Sequence, residues 1–426
     1  MTQVCRRWRN IIFGSPRRLD LRVICTNATP ARTSLGIWPP FPIVVYCENA
    51  SAVDEKGLSN IIAALEHRDR ISDVHLFDTN GPALEKVLAI MEEPFHTLEV
   101  FHLSSFDESV PVFPETFSAG SAPRLRSLTL SGIPFSTSHK FILSISQVES
   151  LYLLDIPNSG YISPEEMVTF LAALPNLKYL HIGFRSPPPR PIQTNWSPLT
   201  RAILPALTFL YFSGVSEYFE DIVARIDTPS LEWLDIAFFM DLVFHIPRLH
   251  DFIDRTKSLG SHNQAFMEFS SMEIKIMFGL SFHLEVRCER LDWQLSSISQ
   301  IFSEQPSLLS HAEQLELCEN LALARTTWKT EPDMDSSLWL ELFRLFTSVQ
   351  SLYLSETLVP PVAVALQELS DEGTIGLLPA LQSVFMEGLQ PVGPEQKAIQ
   401  SFVDSRRLSG HPVIIQNWER RPQSAF

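Results

Sequence analysis

One short apolar phrase recurs along this chain and constrains its fold more than any other feature. The phrase is an apolar residue, two variable residues, a second apolar residue, one variable residue and a third apolar residue. It begins at residues 71, 98, 125, 148, 177, 207, 231, 312, 349 and 381. The first seven occurrences are separated by 27, 27, 23, 29, 30 and 24 residues. Such regular spacing predicts a repeat protein, in which each unit buries its apolar residues against its neighbours.

The phrase and its spacing fit leucine-rich repeats, which run about 20–29 residues around a core L-x-x-L-x-L. Proline ends a helix and favours extended backbone before it. It stands two residues ahead of the phrase at Pro123, Pro175, Pro205, Pro229 and Pro379. The sequence therefore predicts an α/β fold, an irregular leucine-rich-repeat solenoid (horseshoe) with short parallel strands on one face and helices on the other.

The segments between the phrases have helical periodicity. Residues 163–176 offer Ser163 as N-cap, Pro164 as the first helical residue and acidic residues in the first turn, which are common helix-start signals. The apolar face of this helix is predicted to contain Met167, Phe170, Leu171 and Leu174. The repeat becomes irregular between about 240 and 310, where strands are expected near 272 and 282. We expect the same solenoid there, with insertions.

Composition limits the classes of partner and compartment. The formal net charge is −16, and an acidic surface repels phosphate backbones, so no nucleic-acid partner is expected. No apolar run approaches the roughly 18 residues of a membrane span, so no membrane partner is expected. The first 15 residues lack the apolar segment of a secretory signal, and a cytoplasmic or nuclear location follows as the default.

The sequence contains no pattern of a catalytic, metal or cofactor site. The five cysteines are scattered without a C-x-x-C pair, which argues against zinc and against a disulfide framework. Phosphate-binding loops, H-E-x-x-H and G-x-S-x-G are missing. The chain is predicted to be no enzyme and to need no cofactor. The alternative is an enzyme whose site lies in the insertion near 240–310.

The repeats also predict a candidate partner-binding patch. In each strand, the residues before and between the last two apolar positions of the phrase point away from the core, because side chains alternate between faces. Three consecutive repeats place large side chains there, and Tyr and Trp are favoured interface anchors. The patch consists of Tyr179, His181, Phe209, Tyr211, Trp233 and Asp235. The alternative is that a loop covers these residues as a second small core.

The first residues are basic and amphipathic. Arginines stand beside an apolar helical face, and the segment Gly14–Pro16 then stops the helix. A mitochondrial transit peptide shares this composition, and a nucleic-acid arm is a further alternative. The order V-C-R-R-W-R followed by S-P is carried by Val4, Cys5, Arg6, Arg7, Trp8 and Arg9, with Ser15 and Pro16.

This segment resembles the C-terminal end of the F-box, and the chain is similar to the F-box proteins of mushroom-forming fungi over most of its length. The resemblance implies residues 1–18 as an F-box remnant, 19–410 as the repeat solenoid and 411–426 as a C-terminal strand and tail. It implies a substrate receptor of an SCF ubiquitin ligase, which binds a Skp-type adaptor and captures an unknown protein substrate on the repeats. The opening L-P-x-E-[IL] helix of an F-box does not precede Val4, so most adaptor-binding residues of the family have no counterpart here. The alternative is a repeat scaffold without a ligase link.

Overall fold

The structure is a computed structural model that describes residues 21–107, 110–117, 122–187, 201–239, 244–260, 262–303, 307–320, 336–368, 376–388 and 394–420. The chain divides into two compact units. The first contains the chain up to Tyr211 together with Arg225–Ser230, and the second contains Phe212–Ala224 and the chain from Leu231. The predicted F-box remnant lies outside the described residues, and the predicted boundaries near 18 and 410 stay predictions.

The first unit contains a parallel sheet with its strands in chain order. The strands are β1 (Arg22–Ile24), β2 (Ile43–Cys47), β3 (Ile71–Leu76), β4 (Val100–Ser104), β5 (Ser127–Ser131), β6 (Ser150–Ile156) and β7 (Tyr179–Phe184), with a small parallel pair, β8 (Ala202–Ile203) and β10 (Ile226–Asp227). The unit also contains the first half of β9 (Phe209–Gly214), whose neighbour in the sheet is β7.

The second unit contains a mixed sheet in the order β11-β14-β13-β12-β15-β16-β17-β18. Its strands are β11 (Trp233–Phe239), β12 (Gln264–Phe269), β13 (Glu273–Phe278), β14 (Phe282–Arg287), β15 (Gln314–Glu319), β16 (Ser351–Leu354), β17 (Ser383–Glu387) and β18 (Ile414–Trp418). Only the contacts of β13 with β12 and with β14 are antiparallel.

Helices connect most of the consecutive strands. They are α1 (Ala31–Ile37), α2 (Glu55–Leu65), α3 (Gly81–Met91), α4 (His139–Ser144), α5 (Pro164–Ala172), α6 (Ser216–Val223), α7 (Pro247–Arg255), α8 (Leu291–Ser303), α9 (Ser307–Ser310), α10 (Ser337–Arg344), α11 (Val359–Glu368) and α12 (Pro394–Leu408). Alternating short strands and helices with parallel neighbours confirm the predicted leucine-rich-repeat fold.

All ten apolar phrases coincide with strands. The first apolar residue of a phrase closes a tight turn: the amide of Leu125 donates to the carbonyl of Ala122, and that of Leu177 donates to Leu174. The second and third enter the strand facing the helices, so that Leu128 and Leu130 are buried. A one-residue slip would turn these side chains to the other face, so the phrase determines the register of each strand.

The predicted capping of α5 is confirmed. The Ser163 hydroxyl accepts from the Glu166 amide, and the Glu166 carboxylate accepts from the Ser163 amide in return. This capping box satisfies two backbone donors that a helix start leaves open. The four apolar residues predicted to share one face, Met167, Phe170, Leu171 and Leu174, are all buried.

The irregular region is a reversed insertion in the sheet of the second unit. After β11 the chain crosses to β12, returns through β13 and ends in β14, which pairs with β11 in parallel. The strands expected near 272 and 282 are β13 and β14. Strand β12 was not predicted, because the apolar phrase does not occur there. Its residues Ala265, Met267 and Phe269 nevertheless alternate as buried residues.

Candidate functional site

The helix-free face of each sheet is the surface that these repeats leave open, and it is called here the open face. Strand β3 illustrates its origin, since Val74 and Leu76 are completely buried against the helices while Asp73 and His75 are half-buried on the other side. The same alternation recurs in β4, β9, β15, β16 and β17. Side chains on the open face are therefore available for contact with another molecule.

Four residues of the predicted patch lie together in the first unit. Tyr179 is 44% exposed and its ring centroid lies 6.3 Å from that of Phe209. The rings of His181 and Tyr211 are closer, with centroids 3.9 Å apart. Tyr152 extends the group at 6.3 Å from His181. The structure thus brings these side chains into one half-exposed aromatic group.

The other two residues of the predicted patch belong to the second unit. Trp233 packs edge-on against His283 with centroids 4.6 Å apart. The Asp235 carboxylate lies 3.7 Å from Nδ1 of the same imidazole. His283 is the register partner of Asp235, and it was missed because β14 lies in the insertion, where the repeat spacing no longer identifies neighbours.

A second ring cluster in the first unit lies at the N-terminal end of the sheet. It consists of Tyr46, His75, Phe77 and His102 and is called here the imidazole–aromatic cluster. Phe77 is its centre, with its ring centroid 4.4 Å from His102 and 5.7 Å from Tyr46. The Arg22 guanidinium carbon lies 5.6 Å from the Tyr46 ring centroid, within the range of a cation–π contact.

The two histidines of this cluster belong to a column that period-2 alternation predicts. Tyr46 and Phe77 were missed, because β2 has no complete phrase and Phe77 follows the last residue of β3. Extending the alternation by one residue beyond the phrase, from His75 to the second residue after it, would have found Phe77.

Burial sets the charge of the imidazole–aromatic cluster. Burial, with a smaller contribution from the neighbouring His75, lowers the pKa of His102 to about 4. Burial also lowers the pKa of His75, with Asp73 opposing the shift and Arg22 adding to it. Both rings are accordingly neutral at pH 7, so the cluster offers an uncharged surface of aromatic and imidazole rings.

The open face of the second unit carries a different surface near its C-terminal end. It is called here the acidic aromatic surface and consists of Glu268, Glu316, Tyr353, Phe385, Glu387 and Trp418. Tyr353 and Phe385 stack with ring centroids 4.4 Å apart and an interplanar angle of 7°. Trp418 packs edge-on against Tyr353 at 5.4 Å. Tyr353 lies on β16 between two register partners: Phe385 on β17 at one side and Glu316 on β15 at the other.

The electrostatics of this surface are dominated by carboxylates. Burial raises the pKa of Glu316, Glu387 adds to the rise, and Arg420 opposes it. A cavity of about 440 Å³ adjoins the surface and is lined by Glu387, Gly388, Asn417, Trp418, Glu419 and Arg420. The surface therefore presents aromatic rings within an environment that favours a cation.

The cysteines are poor nucleophiles where the structure describes them. Cys25, Cys47, Cys288 and Cys318 are buried free thiols. Burial raises the pKa of Cys25 and of Cys288 to about 12, and a protonated thiol neither attacks nor ligates a metal well. Among the described residues, no group of three or more His, Cys, Asp or Glu side chains could hold a metal ion. No helix in the described ranges is long and apolar enough to cross a membrane.

The residues of the F-box resemblance, Val4, Cys5, Arg6, Arg7, Trp8 and Arg9, lie outside the described residues. Their predicted role in adaptor docking stays a prediction.

Comparisons with known proteins give a likeness of structure and none of sequence. No family model matches the chain, and no curated protein matches it. Among solved structures, the chain is similar to the leucine-rich repeat-containing protein LegL7 from Legionella pneumophila, with 12% sequence identity and a TM-score of 0.31. The match covers 90% of this chain and 97% of that one. At this level of likeness, the assignment of the fold rests on the strands and helices themselves.

Proposed function

We propose that this chain is a protein-binding leucine-rich-repeat scaffold whose partners contact the open face. The observation that carries the proposal is the imidazole–aromatic cluster, in which Phe77 contacts both Tyr46 and His102 on a half-exposed surface. Aromatic side chains are enriched among the residues that contribute most to protein–protein affinity. Their rigid rings cover a large area at a small cost in conformational entropy.

The physical requirements of a binding surface are met by this arrangement. Each open-face ring is fixed by a strand whose opposite side is fully buried, so little ordering is needed when a partner binds. The helix side of the same strands forms the core, so a substitution on the open face can change binding without removing core packing. The predicted patch of Tyr179, His181, Phe209 and Tyr211 supplies a second group of rings on the first unit.

Affinity capture with matched variants tests this proposal. Proteins retained by the wild-type chain should be lost with Phe77→Ser and kept with Ile37→Ser, since Ile37 is 78% exposed on helix α1. Tyr211→Ala and Trp233→Ala test the predicted patch, with the thermal midpoint as a check on folding. Equal retention by Phe77→Ser and Ile37→Ser would reject the open face as the binding surface.

A finer form of the proposal makes the chain a substrate receptor of an SCF-type ubiquitin ligase. Its support is the resemblance of Val4–Arg9 to the end of an F-box, joined to a repeat body. The test is co-purification with a Skp-type adaptor, with Trp8→Ala as the disrupting variant. If neither this chain nor one extended upstream retains the adaptor, the ligase link is rejected and the scaffold proposal is unaffected.

A further inference from the structure

The acidic aromatic surface differs from the neighbouring part of its sheet in how its charges are paired. On β13 and β14, the Lys275 ammonium lies 2.7 Å from Glu273 and 3.6 Å from Glu285, and Arg287 also contacts Glu285. Carboxylates there are matched by nearby cations. From β12 to β18, by contrast, the cation that acts on Glu316 is the Arg420 guanidinium, which is shared with Glu268. Glu268 also interacts with Lys275, its register partner on β13.

Among the carboxylates of this surface, Glu316 has the fewest contacts that offset its burial. Its side chain is half-buried, and no hydrogen bond or ion pair reaches its carboxylate from the described residues. A half-buried carboxylate without a direct hydrogen bond or ion pair destabilises the fold, because nothing offsets its loss of hydration. A cationic group from outside the chain would remove this cost.

Tyr353 makes the site selective for a flat cation. Phe385 on β17 covers one face of the Tyr353 ring in stacked contact. The other face is turned toward β15, where Glu316 is the register partner. A guanidinium can stack on an aromatic face while donating to a carboxylate at its edge, which an ammonium does less well.

One arginine of the chain, Arg420, already contacts this surface. Arg420 donates to the Glu319 carbonyl at 2.8 Å, contacts Sγ of Cys318 at 3.1 Å and lies 3.7 Å from the Glu268 carboxylate. These contacts join the C-terminal segment to strands β15 and β12. They show that a guanidinium fits against these strands, and that Arg420 occupies the position beside Glu268.

We propose that the acidic aromatic surface binds a basic, extended protein segment, with an arginine side chain inserted between Glu316 and Tyr353. This proposal rests on the scaffold function and names the chemistry of the partner for the second unit. The cavity beside Trp418, with carboxylates from Glu387 and Glu419 in its wall, continues the same charge toward the edge of the sheet.

Fluorescence anisotropy with a labelled peptide of alternating arginine and serine tests the proposal. The wild-type chain should bind it saturably at low salt and more weakly as salt screens the charges. Glu316→Gln should weaken binding about tenfold, as expected for loss of a charge-assisted hydrogen bond. Tyr353→Leu, which keeps an apolar side chain but removes the ring, should weaken binding about threefold through the lost cation–π contact.

Matched controls separate the site from general charge. Glu341→Gln removes the same charge from the exposed side of α10 and should leave the affinity unchanged. A peptide with lysine in place of arginine should bind more weakly than the arginine peptide, and one with glutamate should not bind. Equal weakening by Glu316→Gln and Glu341→Gln, or no saturable binding by the wild type, would overturn the proposal.

Arg420 gives a test of the opposite sign. Arg420→Ala removes the internal guanidinium and should tighten peptide binding, whereas Arg407→Ala, at an exposed position of α12, should not. Weaker binding by Arg420→Ala would contradict the interpretation that the Arg420 guanidinium competes with the peptide for the carboxylates. If the arginine peptide fails while captured proteins still depend on Phe77, the basic-segment proposal is rejected and the scaffold function stands.

Discussion

His75 and His102 are register partners on adjacent parallel strands, and their imidazole centroids lie 6.3 Å apart. Both rings stand on the open face beside Phe77, and burial disfavours a positive charge on either of them. Protonation of one would also oppose protonation of the other. This pair therefore links the stability of the first unit to pH.

The pH dependence of His102 has a definite sign. Its pKa is about 4 in the folded chain, against an ordinary value of 6.5, so the unfolded chain binds the proton more readily. Stability is complete above pH 6.5 and declines as the pH falls toward 4. We expect a decline of about 1–2 kcal/mol, allowing for solvent screening of the half-exposed ring. Urea denaturation at a series of pH values measures it.

His102→Gln should flatten this part of the pH profile, because the amide does not titrate. His139→Gln, at an exposed residue of α4, should leave the profile as it is in the wild type. An unchanged decline in His102→Gln would show that another group is responsible.

Glu220 connects two helices of the second unit and gives a second prediction. Its carboxylate accepts the amide N–H groups of Arg248 at 2.9 Å and Leu249 at 2.7 Å, at the start of α7. Glu220→Ala should lower the free energy of unfolding by about 2 kcal/mol, since it uncaps this helix and leaves buried donors unsatisfied. Glu217→Ala, at an exposed position of α6, the helix that carries Glu220, should lower the free energy of unfolding far less in the same denaturation experiment.

The pH dependence of Glu220 is opposite to that of His102. Burial raises the pKa of Glu220 to about 7, against an ordinary value of 4.5. The stabilisation from this shift is complete below pH 4.5 and is lost as the pH rises through 7. Glu220→Gln should abolish that loss, and a loss of the same size in Glu220→Gln would contradict the assignment.

Gly132 and Gly36 should respond to alanine in opposite directions. Gly132 has φ +69°, and a Cβ atom there would overlap the Ser105 carbonyl oxygen and lie 2.6 Å from Nη2 of Arg185. Gly132→Ala should destabilise by about 2–4 kcal/mol through backbone strain and steric overlap. Gly36 lies in α1 with open space around it, and Gly36→Ala should stabilise by about 0.5 kcal/mol. Thermal melting distinguishes the two, and similar midpoints would contradict both expectations.

The sequence predicts the strands well because the information is local. Phe101 and Leu103 predict a buried strand face within one phrase, and their neighbours Val100 and His102 lie on the open face by alternation. The capping box of Ser163 and Glu166 is equally local. The orientation of side chains could therefore be predicted repeat by repeat, including those of His75 and His102.

Contacts between distant segments could not be predicted in this way. Arg420 reaches the Glu319 carbonyl 101 residues earlier in the chain, and its ion pair with Glu268 depends on the reversed order of β12, β13 and β14. A period-based alignment of repeats assigns no position to that insertion. The acidic aromatic surface consequently emerges only when the strand order of the second unit is known.

Arg406 gives the last prediction, because its guanidinium is completely buried on α12. It holds a turn in which Leu378 has φ +45°. The guanidinium donates at 3.2–3.5 Å to the carbonyl oxygens of Leu377, Leu378, Pro379 and Leu381. Arg406→Met fills the space but removes the guanidinium donors from these carbonyl oxygens, of which that of Leu378 keeps only the Leu381 amide. We therefore expect a loss of about 3 kcal/mol in stability.

The neighbouring Arg407 is the matched control for this substitution. It is exposed on the same helix, so Arg407→Met removes an equal charge and should change stability by less than about 0.5 kcal/mol. Hydrogen exchange locates the effect: Arg406→Met should accelerate exchange at the Leu381 amide, whose bond to the Leu378 carbonyl closes the turn before β17. Equal losses for the two variants would mean that the charge of α12, and not the clamp on the turn, sets the stability of this part of the second unit.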